Sequence, residues 1–235
     1  MRMRKKKNGE ARLLQCERIL YRHGGEPMDS PSLSVFGKEL PVYLEIGAGK
    51  GGFARGMVKK NPAVAYFAME RVSDCVVLAA EAALAEEGFE NLRFIVDNAD
   101  NLPSIFAPES VDKLFLNFSD PWPKKGYAKR RLTHRRYLAI YLSLMKDGAT
   151  LTFKTDNVGL FDFTLGEIEA MGIAPVKLTR DLHTSEYSEN NVVTEYEKNF
   201  SEAGVKINMV EIVKPYGYEA PEFSKAESVG KNENY

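Results

Sequence analysis

Short apolar runs alternate with stretches of helical periodicity along most of the chain. VYLEIG (42–47) reads as a strand stopped by glycine, and the periodicity then predicts a helix over 53–60 that ends at Asn61-Pro62. VAYFAME (64–70) is the second strand. Ser73 is the expected N-cap of a helix carrying Val76, Val77, Ala80, Ala83 and Leu84, closed by Gly88. LRFIV (92–96) and VDKLFLNF (111–118) are the third and fourth strands. A helix over 133–146 turns Tyr137, Tyr141, Leu142 and Met145 inward. ATLTFKT (149–155) follows as a strand, then a helix over 158–171 ended by Gly172, and INMVEIV (207–213) as the last strand. Ahead of this pattern lie a helix around 10–21 and a Pro/Gly/Ser-rich connector, 24–37. The polar stretch 179–199 is long for a plain connector. The tail from Lys214 reads as extended or loose. Strands alternating with amphipathic helices imply an α/β domain with a mostly parallel sheet covered on both faces.

Composition narrows this. The chain has 235 residues, enough for one sizeable α/β domain, with 44% hydrophobic and 28% charged residues. No apolar run approaches the length of a membrane helix. The start, MRMRKKKNGEAR, is basic and leads into polar residues, unlike a signal peptide. Cys16 and Cys75 suggest no disulfide framework, and His23, His134 and His183 have no metal-site spacing. A reduced cytoplasmic protein without a structural metal or a membrane segment is the expectation.

The net charge of −1 conceals an asymmetry. Between Pro121 and Met145 there is no acid, yet seven basic residues occur: Lys124, Lys125, Lys129, Arg130, Arg131, Arg135 and Arg136. The first seven residues add five more cations, so these two stretches carry +12 and the remainder −13. A long stretch of one sign in an otherwise acidic protein points to a polyanion contact.

Two motifs carry candidate chemistry. In LEIGAGKGG, Gly47, Gly49 and Gly52 satisfy G-x-G-x-x-G directly after a strand. Such glycines allow a tight turn and let a ligand lie against the backbone. Glu70, at the end of the second strand, suits a ribose diol. Glu45, two residues before the first glycine, would repel a pyrophosphate but suits the ammonium of S-adenosylmethionine. Asp97, Asn98 and Asp100 at the third strand's end offer groups to read an adenine amino group. The second motif is NFSDPWPKK (117–125), which a doubly wound sheet delivers to the same rim. Asp120 and Trp122 each precede a proline and are expected to be extended. Trp122 is expected to pack as core and Asp120 to be functional.

Taken together, these residues resemble the bacterial tRNA (guanine-N7-)-methyltransferases, the TrmB-like group of class I methyltransferases. The matching segments are LEIGAGKG (44–51), the acid of MER (69–71), NFSDPWPKK (117–125), KRR (129–131), FKTDN (153–157) and TEYE (194–197), covering roughly residues 42–213. The resemblance implies a Rossmann-like, mostly parallel seven-stranded sheet that binds S-adenosyl-L-methionine, yielding S-adenosyl-L-homocysteine. It implies methyl transfer to guanine N7 at position 46, in the variable loop of tRNA. By position, Glu45, Gly47, Gly49, Glu70, Asn98 and Asp120 would hold the cofactor, with Asp120 also the catalytic acid. Lys124, Asp156, Thr194, Glu195, Tyr196 and Glu197 would hold the substrate. Gly126, Tyr127, Ala128, Lys129, Arg130 and Arg131 would lie on the RNA. A domain over 38–214 would follow an N-terminal extension and connector (1–37) and precede a polar tail (215–235), as a monomer or homodimer.

The chain departs from that family in three places: Asn98 where Asp is common, Gly126-Tyr127 where a basic residue and a His are frequent, and Arg71 after Glu70 where an apolar residue is expected. Because guanine N7 carries a free lone pair, the enzyme needs no base. Its work is positioning, and carboxylates of Asp120, Asp156 and Glu197 suit guanine's N1–H and 2-amino donors. The alternatives are methyl transfer to another RNA base or a protein, an inactive RNA-binding relative, and an NAD-dependent oxidoreductase.

Overall fold

The computed structural model describes residues 8–221, so the basic start 1–7 and the tail beyond 221 lie outside the described residues. Seven strands form one sheet: β1 (Val42–Ile46), β2 (Ala65–Glu70), β3 (Leu92–Val96), β4 (Val111–Asn117), β5 (Met145–Thr155), β6 (Pro175–Thr179) and β7 (Asn208–Val213). Their order is β3-β2-β1-β4-β5-β7-β6. The first five run parallel, while β7 lies antiparallel to both of its neighbours. The fold is the mostly parallel α/β sheet expected from the strand–helix alternation, in the seven-stranded, Rossmann-like form that the resemblance implies.

Central strands are apolar on both sides because helices cover both faces. On one side, Leu44 and Ile46 of β1 lie level with Phe67 and Met69 of β2 and with Leu114 and Leu116 of β4. They pack under α5 (Arg135–Leu144) and α6 (Val158–Ala170), which contribute Tyr141, Leu142 and Phe161. On the other side Tyr66, Phe94 and Phe115 pack against α1 (Gly9–Gln15), α3 (Gly52–Lys60) and α4 (Ser73–Leu84). Burying each such side chain contributes about 1.5–3 kcal/mol.

Several boundaries differ from the periodicity. The connector 24–37 contains a helix, α2 (Pro31–Phe36), opened by proline at its first position and closed by Gly37 at φ 67°. The first helix stops at Gln15, and a 3-10 turn (Glu17–Ile19) lets Leu20 bridge to Phe94 beside β3. Ser73 is the first helical residue of α4 rather than its cap. The Val72 amide there donates to Glu70 Oε1 at 2.8 Å. That helix ends at Leu84, before Gly88. Met145 is buried but belongs to β5, which begins directly where α5 ends. The described part of the tail, to 221, is tethered: Gly217 N donates to Asp147 and Tyr218 OH to Met171 O.

The polar stretch 179–199 is not a plain loop. It holds two 3-10 turns (Leu182–Thr184 and Glu186–Asn190) and the start of α7 (Glu195–Glu202). Thr194 is the N-cap of α7, its hydroxyl accepting from Glu197 N at 2.8 Å. Thr194-x-x-Glu197 is a capping-box spacing, the local signal that marks this helix. Strand β6 has the weakest signature. It begins at a proline and is only five residues long, and its alternating apolar residues, Val176 and Leu178, are exposed at the sheet edge, so no buried face marks it.

Candidate active site

The strand order reverses between β1 and β4, and their C-terminal ends open one side of a cavity of about 630 Å³. The glycine loop forms its first wall. Gly47, Gly49 and Gly51 have φ of 81°, 55° and 70°, but the last serves a different purpose. A Cβ on Gly51 would lie 2.8 Å from Phe94 and 2.9 Å from Ala79, so this glycine lets α3 pack closely on the sheet and on α4. A Cβ on Gly49 would meet nothing within 4 Å, so the backbone there is open to the cavity.

Glu70 lines the next wall. Its Oε2 accepts from Gly49 N at 3.0 Å and its Oε1 from Val72 N, so the acid ties the glycine loop to the end of β2. At the end of β3, Asp97 Oδ1 accepts from Asn98 N and from Asn101 Nδ2, pinning the turn that presents Asn98. Asn98 Nδ2 donates to Asp100 Oδ2 at 2.9 Å. Asp100 in turn accepts from Tyr137 OH and pairs with Arg136. Arg71 also lines the cavity.

The opposite wall is the exit of β4: Phe118, Ser119, Asp120 and Trp122. Phe118 has φ 51° and Trp122 φ 41°, so Trp122 is not extended as its following proline suggests. Nor is it core. Trp122 is half-buried at the cavity wall, edge-on to Tyr127, with the Arg130 guanidinium 5.1 Å from its ring and 4.7 Å from that of Tyr127. It belongs to neither apolar cluster on the two faces of the sheet. Asp120 is exposed. The buried Ser119 hydroxyl beside it has no hydrogen-bond partner among the described residues.

Glu45 does not reach this cavity. It is 2% exposed, on the α3 side of the sheet, accepting from Asn117 Nδ2 at 3.1 Å and from Tyr66 OH at 3.4 Å. Burial pushes its carboxyl up to about 7, against those hydrogen bonds and the charge of Lys154. Alternation in β1 explains the placement: Leu44 and Ile46 face α5 and α6, so Glu45 faces the other way. The acid before the glycine loop is thus a buried group of β1, bonded to Asn117 of β4 and Tyr66 of β2.

The expected substrate segment also divides. Glu197 is 0% exposed and does not face the cavity. Its Oε2 pairs with Lys154 Nζ at 2.8 Å, while Asn191 Nδ2 and His183 Nε2 approach Oε1. Lys154, which sequence reasoning placed only within the FKTDN match, is 3% exposed and also donates to Asn191 Oδ1 and Val192 O. Burial lowers its pKa, opposed by Glu197. The pair anchors α7 to β5. Tyr196 stacks on Phe200 and lies 4.9 Å, ring to ring, from Phe118, bringing α7 against the cavity's edge. Asp156 follows β5 at the same rim. The side chain of Glu195 lies outside the described residues.

In the basic stretch, Lys124 and Lys125 are exposed and open a 3-10 helix (Lys125–Arg130) that contains Gly126, Tyr127, Ala128 and Lys129. Arg135 forks onto Glu167 through two side-chain bonds, and Arg131 turns inward onto Pro121 and Trp122. The cations of this stretch are therefore of two kinds, outward-facing and structural. Among the described residues no helix is long and apolar enough to cross a membrane, and no cluster of His, Cys, Asp and Glu could hold a metal.

The cavity fits a nucleoside-type cofactor on three counts: an open glycine backbone, an acid at the end of the second strand, and an orphaned hydroxyl at Ser119. Solved structures with this fold include the 16S rRNA methyltransferase KamB, at TM-score 0.59 and 13% identity over 84% of this chain and 99% of that one. An antibiotic-related methyltransferase matches at 0.58 and 16%, over 81% and 96%. The geranyl diphosphate C-methyltransferase of Streptomyces coelicolor A3(2), solved with S-adenosyl-L-homocysteine, matches at 0.51 and 14%, over 86% and 76%. A family profile described as "Putative methyltransferase" (Methyltransf_4) matches residues 39–210, which take in the glycine loop, Asp120, Lys154 and α7. The chain belongs to this family of methyltransferases, whose cofactor is S-adenosyl-L-methionine.

Proposed function

We propose that the protein transfers a methyl group from S-adenosyl-L-methionine to N7 of a guanine in tRNA, at the variable-loop position that the sequence resemblance implies. One observation carries this reading. Asp120 sits on the wall of the same cavity as Gly49 and Glu70, and the exposed Lys124 and Lys125 follow it directly on the outside. Cofactor grip, acid and cationic surface thus adjoin.

The cofactor supplies a methyl already activated on a sulfonium, and guanine N7 supplies a lone pair without deprotonation. The residues of this chain therefore position and stabilise. Glu70 receives the ribose hydroxyls, its oxygens oriented by the Gly49 and Val72 amides. Asn98, its Nδ2 committed to Asp100, presents Oδ1 as acceptor for an adenine amino group. Asp120 accepts from guanine's N1–H and amino group and stabilises positive charge that develops on the ring. Asp156 is the second candidate for that recognition. Glu197 acts indirectly by seating α7, so that Tyr196 and Phe118 form an apolar edge for the base. The base must leave its stack to reach this depth. Lys124, Lys125, Lys129 and Arg130 bind phosphates, which gives affinity and salt dependence but no sequence reading.

The test is incubation with radiolabelled S-adenosyl-L-methionine and total tRNA that lacks the modification, followed by nucleoside analysis. Label in 7-methylguanosine is the expected result. Label in another nucleoside moves the activity to a different base, and no label in RNA removes the RNA substrate altogether.

A further inference from the structure

We propose that Arg131 is a positioning residue, whose guanidinium clamps the loop carrying Asp120 through its backbone, and that it does not bind RNA phosphate. The inference rests on Asp120 being the acid of methyl transfer. Arg131 Nε donates to Pro121 O at 3.0 Å and Nη2 to Trp122 O at 3.1 Å, the two carbonyls that follow Asp120 in the chain. The same guanidinium lies 4.3 Å from the ring centroid of Phe163 in α6, so the clamp is backed by the body of the domain. Partial burial lowers the arginine's pKa, opposed by the charge of Glu167.

The loop needs such a clamp. Phe118 and Trp122, two residues on either side of Asp120, both occupy the left-handed region with φ of 51° and 41°. Non-glycine residues persist there only when their surroundings over-determine them. Pro121 and Pro123 have no amide hydrogens to contribute. Among the described residues no side-chain hydrogen bond holds the Asp120 carboxylate. Its position is therefore set by its backbone, and Arg131 holds the carbonyls on one side of it. The preceding arginine does the opposite. Arg130 is exposed and lies over Trp122 and Tyr127, so of these two consecutive arginines the first faces outward and the second grips the loop.

Trp122 is the chain's only tryptophan, so its fluorescence reports on this loop without RNA or cofactor. The experiment compares the full-length protein with Arg131→Lys and Arg131→Ala. It measures acrylamide quenching of Trp122, kcat, the KM for cofactor, and tRNA affinity across salt. Lysine keeps the charge but loses the two-pronged donor geometry, so a phosphate contact survives that change and a clamp does not. Expected in both variants are stronger quenching, a kcat about 100-fold lower, and unchanged cofactor KM and tRNA salt slope. Unchanged quenching overturns the clamp, as does a full kcat in Arg131→Lys. A salt slope lower by about 1 with kcat intact reassigns Arg131 to the RNA surface. Should Arg131→Ala not fold, Arg131→Lys decides on the same readouts. If wild-type protein methylates no tRNA while quenching still rises in the variants, the assigned reaction fails and the clamp stands.

Discussion

The two halves of the sheet reach the same rim by different physics. From β3 to β4 the strands are parallel, apolar on both faces, and joined by helices that bury them. Their connecting loops carry the cofactor side of the cavity. From β5 to β6 the sheet runs through an antiparallel neighbour to an exposed edge, and its rim is held by a buried ion pair between Lys154 and Glu197. The contrast teaches that acids at one rim need not share a role. Glu70 faces the cavity, whereas Glu45 and Glu197 are buried in hydrogen bonds and do not line it.

The strongest way to break this contrast is to remove one partner of the buried pair. Glu197→Gln leaves Lys154 buried without its counter-charge and is expected to lower stability by about 3–5 kcal/mol. Urea unfolding monitored by circular dichroism measures it. A loss below about 1 kcal/mol, the ordinary range for an exposed acid, would place Glu197 back at the surface.

On the other half, Asp120→Ala is expected to leave stability and cofactor affinity intact. Methyl transfer should fall by about 100- to 1000-fold, as when one preorganised electrostatic group is lost. Single-turnover rates with calorimetric cofactor titration separate the two effects, and full turnover would remove Asp120 from its assigned role.

Glu45 sharpens the comparison through pH. Its folded pKa of about 7 lies above its ordinary value of 4.5, so the native state holds the proton more tightly than the unfolded chain. The associated stability is fully present below pH 4.5 and is lost as pH rises through about 7. The change is at most about 3–4 kcal/mol, since a tenfold difference in proton affinity is worth about 1.4 kcal/mol. Glu45→Gln should flatten the decline in urea midpoint between pH 5 and pH 8; an unaltered slope would mean that another group carries it. The smallest effect belongs to the outward cations. Lys124→Ala and Lys125→Ala should each lower the salt slope of tRNA binding by about 1 without changing kcat.

Much of the parallel half is legible in the sequence. VYLEIG, VAYFAME, LRFIV and VDKLFLNF fall within a residue of their strands, because a strand buried on both faces must be apolar over its length. The edge is not. β6 begins at a proline and exposes its apolar residues, so burial leaves no trace there. In α7 the capping spacing of Thr194 and Glu197 is visible, but the polar composition reads as loop until Lys154 supplies the buried partner. At the site, the glycine loop and Asp120 were legible as motifs, while Trp122 was misplaced as core. Local pre-proline sterics say nothing of a backbone held at φ 41°, with its carbonyl bonded to Arg131.

The order of residues alone thus determines the parallel strands and the helices between them, the α/β class, and the clustering of glycines, acids and cations at successive strand ends. Hydrophobic period and turn chemistry are local properties. Only the tertiary structure decided which acids face the cavity and which lie behind it, and which of two adjacent arginines turns inward. Those outcomes depend on what each side chain meets across the sheet, and its partners are tens of residues away in the chain.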